Sequence, residues 1–348
     1  MSNLRVLIVG ASITGPTAAY WFAKMGAKIT VIELFPQMRT SGQNINIRTT
    51  GVSVMRRMPG MKEAVRAKIV PMEGISIVRE NGRPYGTMKA TGNHDQQSLV
   101  SEYEILRGDL AHILFDLTKD HEAINYVFAE QIASMQQDEH RNGPVTIDFM
   151  NGTPSSQYVL VVACDGIGCG VRDYIHPARD TAPFVGGRTI CIGPDATSGN
   201  RVTLIGMSPP SGHDSVLQFR KANKLGTEEL KIFLARHYKG AGWKSDQVMQ
   251  GMTEAEDFYA SEMLLIKSAN LYKGRFALVG DAGYATGPTG TATRLAMASA
   301  YMLAGEINKH RGNLAAELKG YEEQMRPLIN GMQRIPPLVP MLIGTQTT

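Results

Sequence analysis

Leu4-Arg5-Val6-Leu7-Ile8-Val9-Gly10-Ala11-Ser12-Ile13-Thr14-Gly15 opens the chain, and after an apolar helical run Lys28-Ile29-Thr30-Val31-Ile32-Glu33 follows. A buried strand leads into a glycine turn, the turn opens a helix, and a second strand stops on a carboxylate. That is the layout of a dinucleotide-binding βαβ unit. Gly10 allows the tight turn, and Gly15 lets the helix pack close to the sheet. Pro16 suits a first helical turn, where its missing N–H costs nothing. The free N–H groups and dipole of that helix start suit a pyrophosphate, so Gly10, Ser12, Ile13, Thr14 and Gly15 are candidate cofactor contacts. Glu33 stands 23 residues after Gly10, where an acid accepts hydrogen bonds from a ribose diol. One position departs from G-x-G-x-x-G: the middle glycine is Ser12, so a backbone approach to a phosphate must pass a small side chain. The alternative is a βαβ unit with a merely structural turn. Two strands, a helix and Glu33 in register favour the nucleotide site.

Composition limits the rest. A chain of 348 residues with 43% hydrophobic and 20% charged residues supports a sizeable core in one large domain or two interlocked ones. The formal charge of +4 is spread without a Lys/Arg block, which argues against nucleic acid and suits an anionic cofactor or substrate. Cys164, Cys169 and Cys191 lack zinc spacing and cannot all pair, so a reducing, cytoplasmic setting is expected. The chain enters its first strand without a signal-peptide pattern, and no apolar run is long enough for a membrane span. The eight His are scattered, so no metal site is expected. Gly10–Gly15 is not the G-x-S-x-G of a serine hydrolase.

Along the chain, Phe35–Asn44 reads as a polar loop passing near the cofactor. Arg39 there reads equally as a phosphate contact or a solvated charge, and Asn44 closes the loop. Thr50–Met58 is expected helical, Ile69–Val78 and Pro84–Met88 as strands about Asn81-Gly82, and Lys89–Ser98 as a loop. Arg107 stands at the start of a helix running to Thr118. Ala123–Val127, Ala129–Gln136 and Val145–Phe149 read as strands. Tyr158–Ala163 is a near-continuous apolar strand, followed at once by Cys164-Asp165-Gly166. A carboxylate at the carboxyl end of a buried strand faces the ligand crevice of an open α/β sheet. From about Phe184 to Ile266 strand-like pieces (Arg188–Ile192, Arg201–Met207, Val216–Phe219) alternate with turns before a helix Thr227–Tyr238, suggesting a mixed antiparallel second domain. Arg188 and Arg220 lie on or beside these strands, as anchors for an acidic substrate or as rim charges. Gly274–Val279 is another buried strand, ending in Gly280-Asp281. A loop to Gly290, a long helix from about Ala292 to His310 and a last helix Leu314–Met332 follow.

Three separated motifs now stand in order: Gly10–Gly15 with Glu33; Cys164-Asp165-Gly166 through Val171-Arg172; and Gly280-Asp281-Ala282 with Pro288 and Gly290. Together they resemble the single-component, FAD-dependent aromatic hydroxylases, the group A flavoprotein monooxygenases, over nearly the whole chain. The resemblance implies an α/β fold with a Rossmann-like FAD-binding domain of the GR2 type, interleaved with a mixed or antiparallel-sheet substrate domain and ending in a helix. The expected division is 1–70, 101–183 and 271–335 for the FAD-binding parts, 71–100 and 184–270 for the substrate side, and a tail 336–348. It implies that the glycine turn and Glu33 hold the ADP half of FAD and that Arg107 contacts FAD. It implies further that Asp165 bridges FAD and NAD(P)H binding and that Asp281 holds the ribityl and pyrophosphate region. Pro288, Gly290 and Ala292 fall in the loop that carries the flavin ring. Two departures stand out there: Ala292 replaces a glycine, and Arg294 replaces a smaller residue. Cys169 replaces the serine usual in the second motif.

The activity implied is NADPH- or NADH-driven hydroxylation of an aromatic or polyketide-like molecule by O2 through a flavin C4a-hydroperoxide, in a monomer or homodimer. Arg188 is the candidate catalytic anchor for a phenolate. Rival readings are an FAD dehydrogenase or oxidative cyclase without oxygen insertion, and a flavin-binding pseudoenzyme. A halogenase fits less well, because Trp21 and Trp243 lie outside any tryptophan-rich motif.

Overall fold

The computed structural model describes residues 4–40, 42–70, 72–78, 81, 83–89, 101–137, 143–175, 181–183, 188–194, 200–206, 213–240, 242–262, 264–287, 290–309 and 312–334. Its centre is a six-stranded sheet in the order Tyr272–Lys273, Phe276–Leu278, Leu160–Ala163, Arg5–Val9, Lys28–Glu33, Ile124–Phe128. Every pairing is parallel except that of Tyr272–Lys273 on the edge. Side chains alternate across a strand, so a sheet covered on both faces needs strands apolar throughout. Val6 and Ile8 face one layer, where Phe22 from helix Thr14–Lys24, Leu303 and Ile307 from Ala292–Lys309, and Tyr321 and Met325 from Leu314–Met332 pack on them. Leu7, between them, faces the other layer with Val161 and Phe276, covered by Val145, Ile147 and Tyr158. Those three belong to an antiparallel sheet of Ile132–Gln137, Val145–Phe149 and Ser156–Tyr158. Each aliphatic side chain so buried stabilises the fold by about 1.5–3 kcal/mol.

A third cluster sits beside the sheet. Helices Thr50–Met55 and Met61–Arg66 pack Val54, Met55, Met61 and Val65 against Leu110 and Leu114 of helix Arg107–Asp116. The first of these helices stops at Met55, short of the expected Met58, and a second begins directly after Pro59-Gly60, with Gly60 in the left-handed region as its N-cap. The same cluster takes in Ile45 and Ile105 from a short antiparallel pair, Asn44–Asn46 with Glu104–Leu106.

In the stretch expected to form a second domain, Arg188–Pro194 pairs with Asn200–Gly206, and just outside it Thr181–Pro183 pairs with Leu264–Ile266, both antiparallel. One expectation is corrected here. Val216–Phe219 is no strand but part of helix His213–Leu225. Phe219 and Ala222, three apart, fall on one helical face, and the Phe219 ring meets Phe233 of helix Thr227–Tyr238 edge-on at 6.2 Å. Gly226 (φ +114) turns the chain between the two helices and stands at the N-cap of the second. Arg220 therefore sits on a helix, its Nε and Nη2 donating to the two carboxylate oxygens of Glu262 at 2.6 and 2.8 Å. Helix Ser245–Glu254, unmarked by any clear pattern in the sequence, packs Val248 and Met249 on Tyr238. The expected loop Lys89–Ser98 lies, after Lys89, outside the described residues.

The turn after Ile124–Phe128 carries a pH prediction. Burial pushes the Glu130 carboxyl up, but the Thr153 hydroxyl and the N–H groups of Gln131, Asn151 and Thr153 outweigh it and hold the pKa at about 2. The native carboxylate is therefore favoured relative to the unfolded chain, and its contribution is present at neutral pH. It is lost as pH falls from the ordinary value of 4.5 through about 2. Glu130→Gln should lower the unfolding midpoint at pH 7 and flatten its fall in that acid window. A variant with the wild-type acid profile would contradict the assignment.

Candidate cofactor and active site

The site follows from sheet order. From Arg5–Val9 the chain crosses to Lys28–Glu33 on one side, and later returns to place Leu160–Ala163 on the other. In open α/β sheets the ligand crevice lies outside the carboxyl ends of the strands at such a reversal. The strand ends are laced together there: the Cys164 N–H donates to Val9 O at 2.8 Å and the Val279 N–H to Ala163 O at 3.0 Å. The next residues along the three strands are Gly10, Asp165 and Gly280-Asp281.

They meet. A Cβ on Gly10 (φ +101) would fall 2.7 Å from Cys164 O and 3.0 Å from Asp165 Cα. One on Gly280 (φ +67) would fall 2.6 Å from Thr14 Oγ1, and one on Gly15 only 1.8 Å from Gly10 O. Gly10 and Gly15 are thus fixed by backbone packing, and Gly280 by the Thr14 side chain and its own positive φ. Helix Thr14–Lys24 has no side-chain cap, so its first-turn N–H groups point out of the helix end at this junction.

Each polar side chain is tied into the same place. Glu33 Oε2 accepts the Ala11 N–H at 2.8 Å and Oε1 the Phe35 N–H at 3.2 Å, pinning the carboxylate under the glycine turn. A carboxylate has about four lone-pair sites, so acceptor capacity for a diol remains. Arg107 starts its helix with its N–H on Gln43 O, and its Nη2 donates to Ser12 Oγ at 3.4 Å. Ser12, the departure from the glycine pattern, thus turns its hydroxyl to an arginine 95 residues away. Burial pushes the Asp281 carboxyl up, and the Arg107 charge draws it back down. Asp165 is raised to about 6 by burial, against the Cys169 thiol, the Gly170 N–H and the Arg172 charge. Its Oδ2 accepts from Gly170, while Oδ1 is buried with no hydrogen-bond partner among the described residues. A buried orphan acceptor beside open helix N–H groups fits a cofactor that presents hydroxyls and phosphates together, as FAD does.

The remaining candidates spread outward. Arg39 is exposed, its guanidinium 4.5 Å from the Phe35 ring centroid and 5.8 Å from that of Tyr259. Gly290 adjoins Asn46, and Gly193 adjoins Asn44, whose Oδ1 is also buried without a partner among the described residues. Ala292 begins helix Ala292–Lys309. Pro288 lies outside the described residues. Of Arg188 only the backbone is described, paired opposite Gly206 at the start of its strand.

In the sequence Arg172 is only the end of the second motif, with no role of its own. In the fold it is 4% exposed, donates to Ala282 O at 3.0 Å and to Ile167 O, and so ties the Asp165 loop to the Asp281 loop. Tyr284 and Tyr321 carry no sequence signal beyond apolar spacing, which files both as core. The Gly280 N–H donates to Tyr284 Oη, which lies 3.2 Å from Tyr321 Oη, and Tyr321 donates to Leu278 O. The last helix thereby fixes the turn carrying Asp281.

Comparison with known proteins agrees with this geometry. A family profile described as FAD binding domain matches residues 3–333. The flavin-dependent monooxygenase eupH of a Phoma species is 30% identical, over 94% of this chain and 85% of its own. The FAD-dependent monooxygenase asL4 of Sarocladium schorii is 28% identical, over 96% and 86%. Among solved structures, tetracycline destructase Tet(51) superposes with a TM-score of 0.81 at 23% identity, covering 99% of this chain and 92% of that one, a likeness of fold. No helix among the described residues is long and apolar enough to cross a membrane, and no group among them could hold a metal ion.

Proposed function

The chain belongs to the FAD binding domain family as an FAD-dependent monooxygenase, and from that premise we propose that it hydroxylates an electron-rich aromatic or polyketide-like molecule with O2 and NADPH or NADH. When bound, FAD supplies the redox and oxygen chemistry. The protein binds, orients and excludes water. Glu33 takes the ribose diol. The N–H groups of the first helix turn, with Arg107, balance the pyrophosphate charge. Asp281 accepts hydroxyl hydrogen bonds beside Arg107, and Asp165 Oδ1 is the waiting acceptor at the crevice. Gly290 and Ala292 would border the flavin ring, the role that the resemblance gives them together with Pro288. Arg39 would close the adenine side, Asn44 would face the substrate side, and Arg188 is a candidate anchor for a phenolate, with the cations at the end of the Asn44 strand as the other positive charges available to it.

The observation that carries this reading is the meeting of Gly10, Thr14, Asp165 and Gly280-Asp281 at the ends of three neighbouring strands. A single extended dinucleotide needs all of them at once. The three cysteines are free, which suits a reducing, cytoplasmic setting. The expected result is a yellow protein whose NAD(P)H oxidation rises with a phenolic or polyketide substrate, the product carrying one atom from labelled dioxygen. Turnover that leaves the label out of the product would assign the same fold to dehydrogenation instead.

A further inference from the structure

On strand Asn44–Asn46 and its continuation, Ile45 and Ile47 turn toward the apolar cluster beside the sheet. By alternation Asn44, Asn46 and Arg48 share the opposite face. That row runs from Gly193 of the substrate-side hairpin, which adjoins Asn44, to Gly290, which adjoins Asn46. Arg48 ends the row, close enough to Arg294 for the two charges to interact.

This is an unusual place for two cations. Arg48 pairs with Glu104 at 3.7 Å. Arg294 meets no carboxylate among the described residues: its Nη1 donates to Thr49 Oγ1 at 3.3 Å, and its Nε is buried without an acceptor. The backbone holds it there, because a Cβ on Gly51 would already touch Arg294 Cα at 3.3 Å. Thr49, between Arg48 and the next helix, is itself strained at φ 40, ψ −111, a region a β-branched residue avoids. Of the two half-buried guanidinium groups, Arg48 meets Glu104 and Arg294 meets no carboxylate among the described residues. The row therefore carries a guanidinium without a counter-charge at one end and, at Asn44, a buried acceptor without a donor at the other, among the described residues.

We propose that Arg48 and Arg294, with Asn44 and Asn46, form the wall that recognises an ionised substrate oxygen. Arg294 supplies the charge at one end of the row, and Asn44 Oδ1, about 13 Å away along the extended strand, accepts from a hydroxyl at the far end of the ligand. The ligand class is an extended aromatic or polyketide-like carboxylate, phenolate or enolate whose anionic oxygen meets Arg294. The proposal rests on the monooxygenase reading, and it makes Arg294 a specificity-determining residue.

The test titrates flavin-loaded protein with 2-hydroxybenzoate and with the neutral 2-hydroxybenzamide, read by calorimetry and by perturbation of the flavin spectrum. Wild type should prefer the anion by about ten-fold or more, the worth of one charge-assisted hydrogen bond. Arg294→Ser should abolish that preference and Arg294→Lys should restore part of it. FAD content is measured in each variant, so loss of cofactor is separated from loss of the anion. Equal binding of the two probes, no binding of either, or an intact preference in Arg294→Ser overturns the proposal. A shift of flavin potential in Arg294→Ser with ligand preference unchanged also overturns it and assigns the charge to the flavin. Protein that takes up no FAD at all refutes the monooxygenase reading instead, while the anion preference stays measurable by calorimetry.

Discussion

Gly15→Ala protein should be recovered without flavin, with FAD affinity reduced at least about 100-fold and a much lower unfolding midpoint. The new methyl would sit 1.8 Å from Gly10 O and 3.0 Å from its carbonyl carbon. Both are backbone atoms, so no rotamer change relieves the clash. Gly10 has little room to retreat, since a Cβ of its own would already lie 2.7 Å from Cys164 O. The helix must therefore lift from the sheet. Overpacking a core costs about 1–3 kcal/mol even where side chains can adjust, and here the turn itself must move. That turn presents the first helical N–H groups, so the same shift removes their aim at an anion. Gly305→Ala is the control. A Cβ there meets nothing within 4 Å in the middle of helix Ala292–Lys309, so the change should stabilise by about 0.5–1 kcal/mol. Flavin absorbance of the purified proteins and their thermal unfolding decide the matter. A yellow Gly15→Ala protein melting beside wild type would refute the packing argument.

The parts legible in sequence are those where local pattern and global position coincide. Val6–Val9, Leu160–Ala163 and Phe276–Leu278 are apolar on both faces because the sheet is covered on both faces, and such runs need no knowledge of partners, although Tyr158, read into the second run, pairs in the antiparallel sheet instead. Asp165 and Asp281 are visible because packing gives no reason to end such a run on a buried charge, whereas a ligand crevice does. Leu314–Met332 is legible to the residue, since Asn313 caps it through the Ala316 N–H. What stays hidden depends on contacts between distant segments. Ser12 looks like a defect in the glycine pattern until Arg107 donates to it in the fold. Val216–Phe219 reads as a strand because four residues cannot separate a period of two from 3.6, and only Phe233 across the helix pair decides it. Arg188 is legible as a strand position alone, because an anchor is defined by what its side chain meets.

Arg172 belongs to that hidden class, and its removal should have the second largest effect. Its guanidinium is almost fully enclosed and serves two carbonyls on different loops, Ala282 O and Ile167 O. Its own N–H donates to Cys169 Sγ at 3.2 Å, and the Cys169 thiol in turn bonds Asp165. One side chain thereby sets the spacing between the two aspartate-bearing turns. Arg172→Ala leaves both carbonyls without donors and opens a void, at about 1–3 kcal/mol for each unsatisfied group. Stability should therefore fall by about 3 kcal/mol or more, with FAD affinity falling alongside because Asp165 and Asp281 lose their fixed separation. A tyrosine variant separates stability from positioning. Tyr321→Phe removes the donor to Leu278 O but keeps the ring packing, so it should weaken FAD binding more than it lowers the melting temperature. Arg172→Lys, able to reach one carbonyl and not both, should fall between Arg172→Ala and wild type in both measurements. If Arg172→Ala binds FAD as tightly as wild type while melting many degrees lower, Arg172 is a structural clamp with no part in aligning the two carboxylates. Loss of both in parallel is the outcome that the bridging geometry requires.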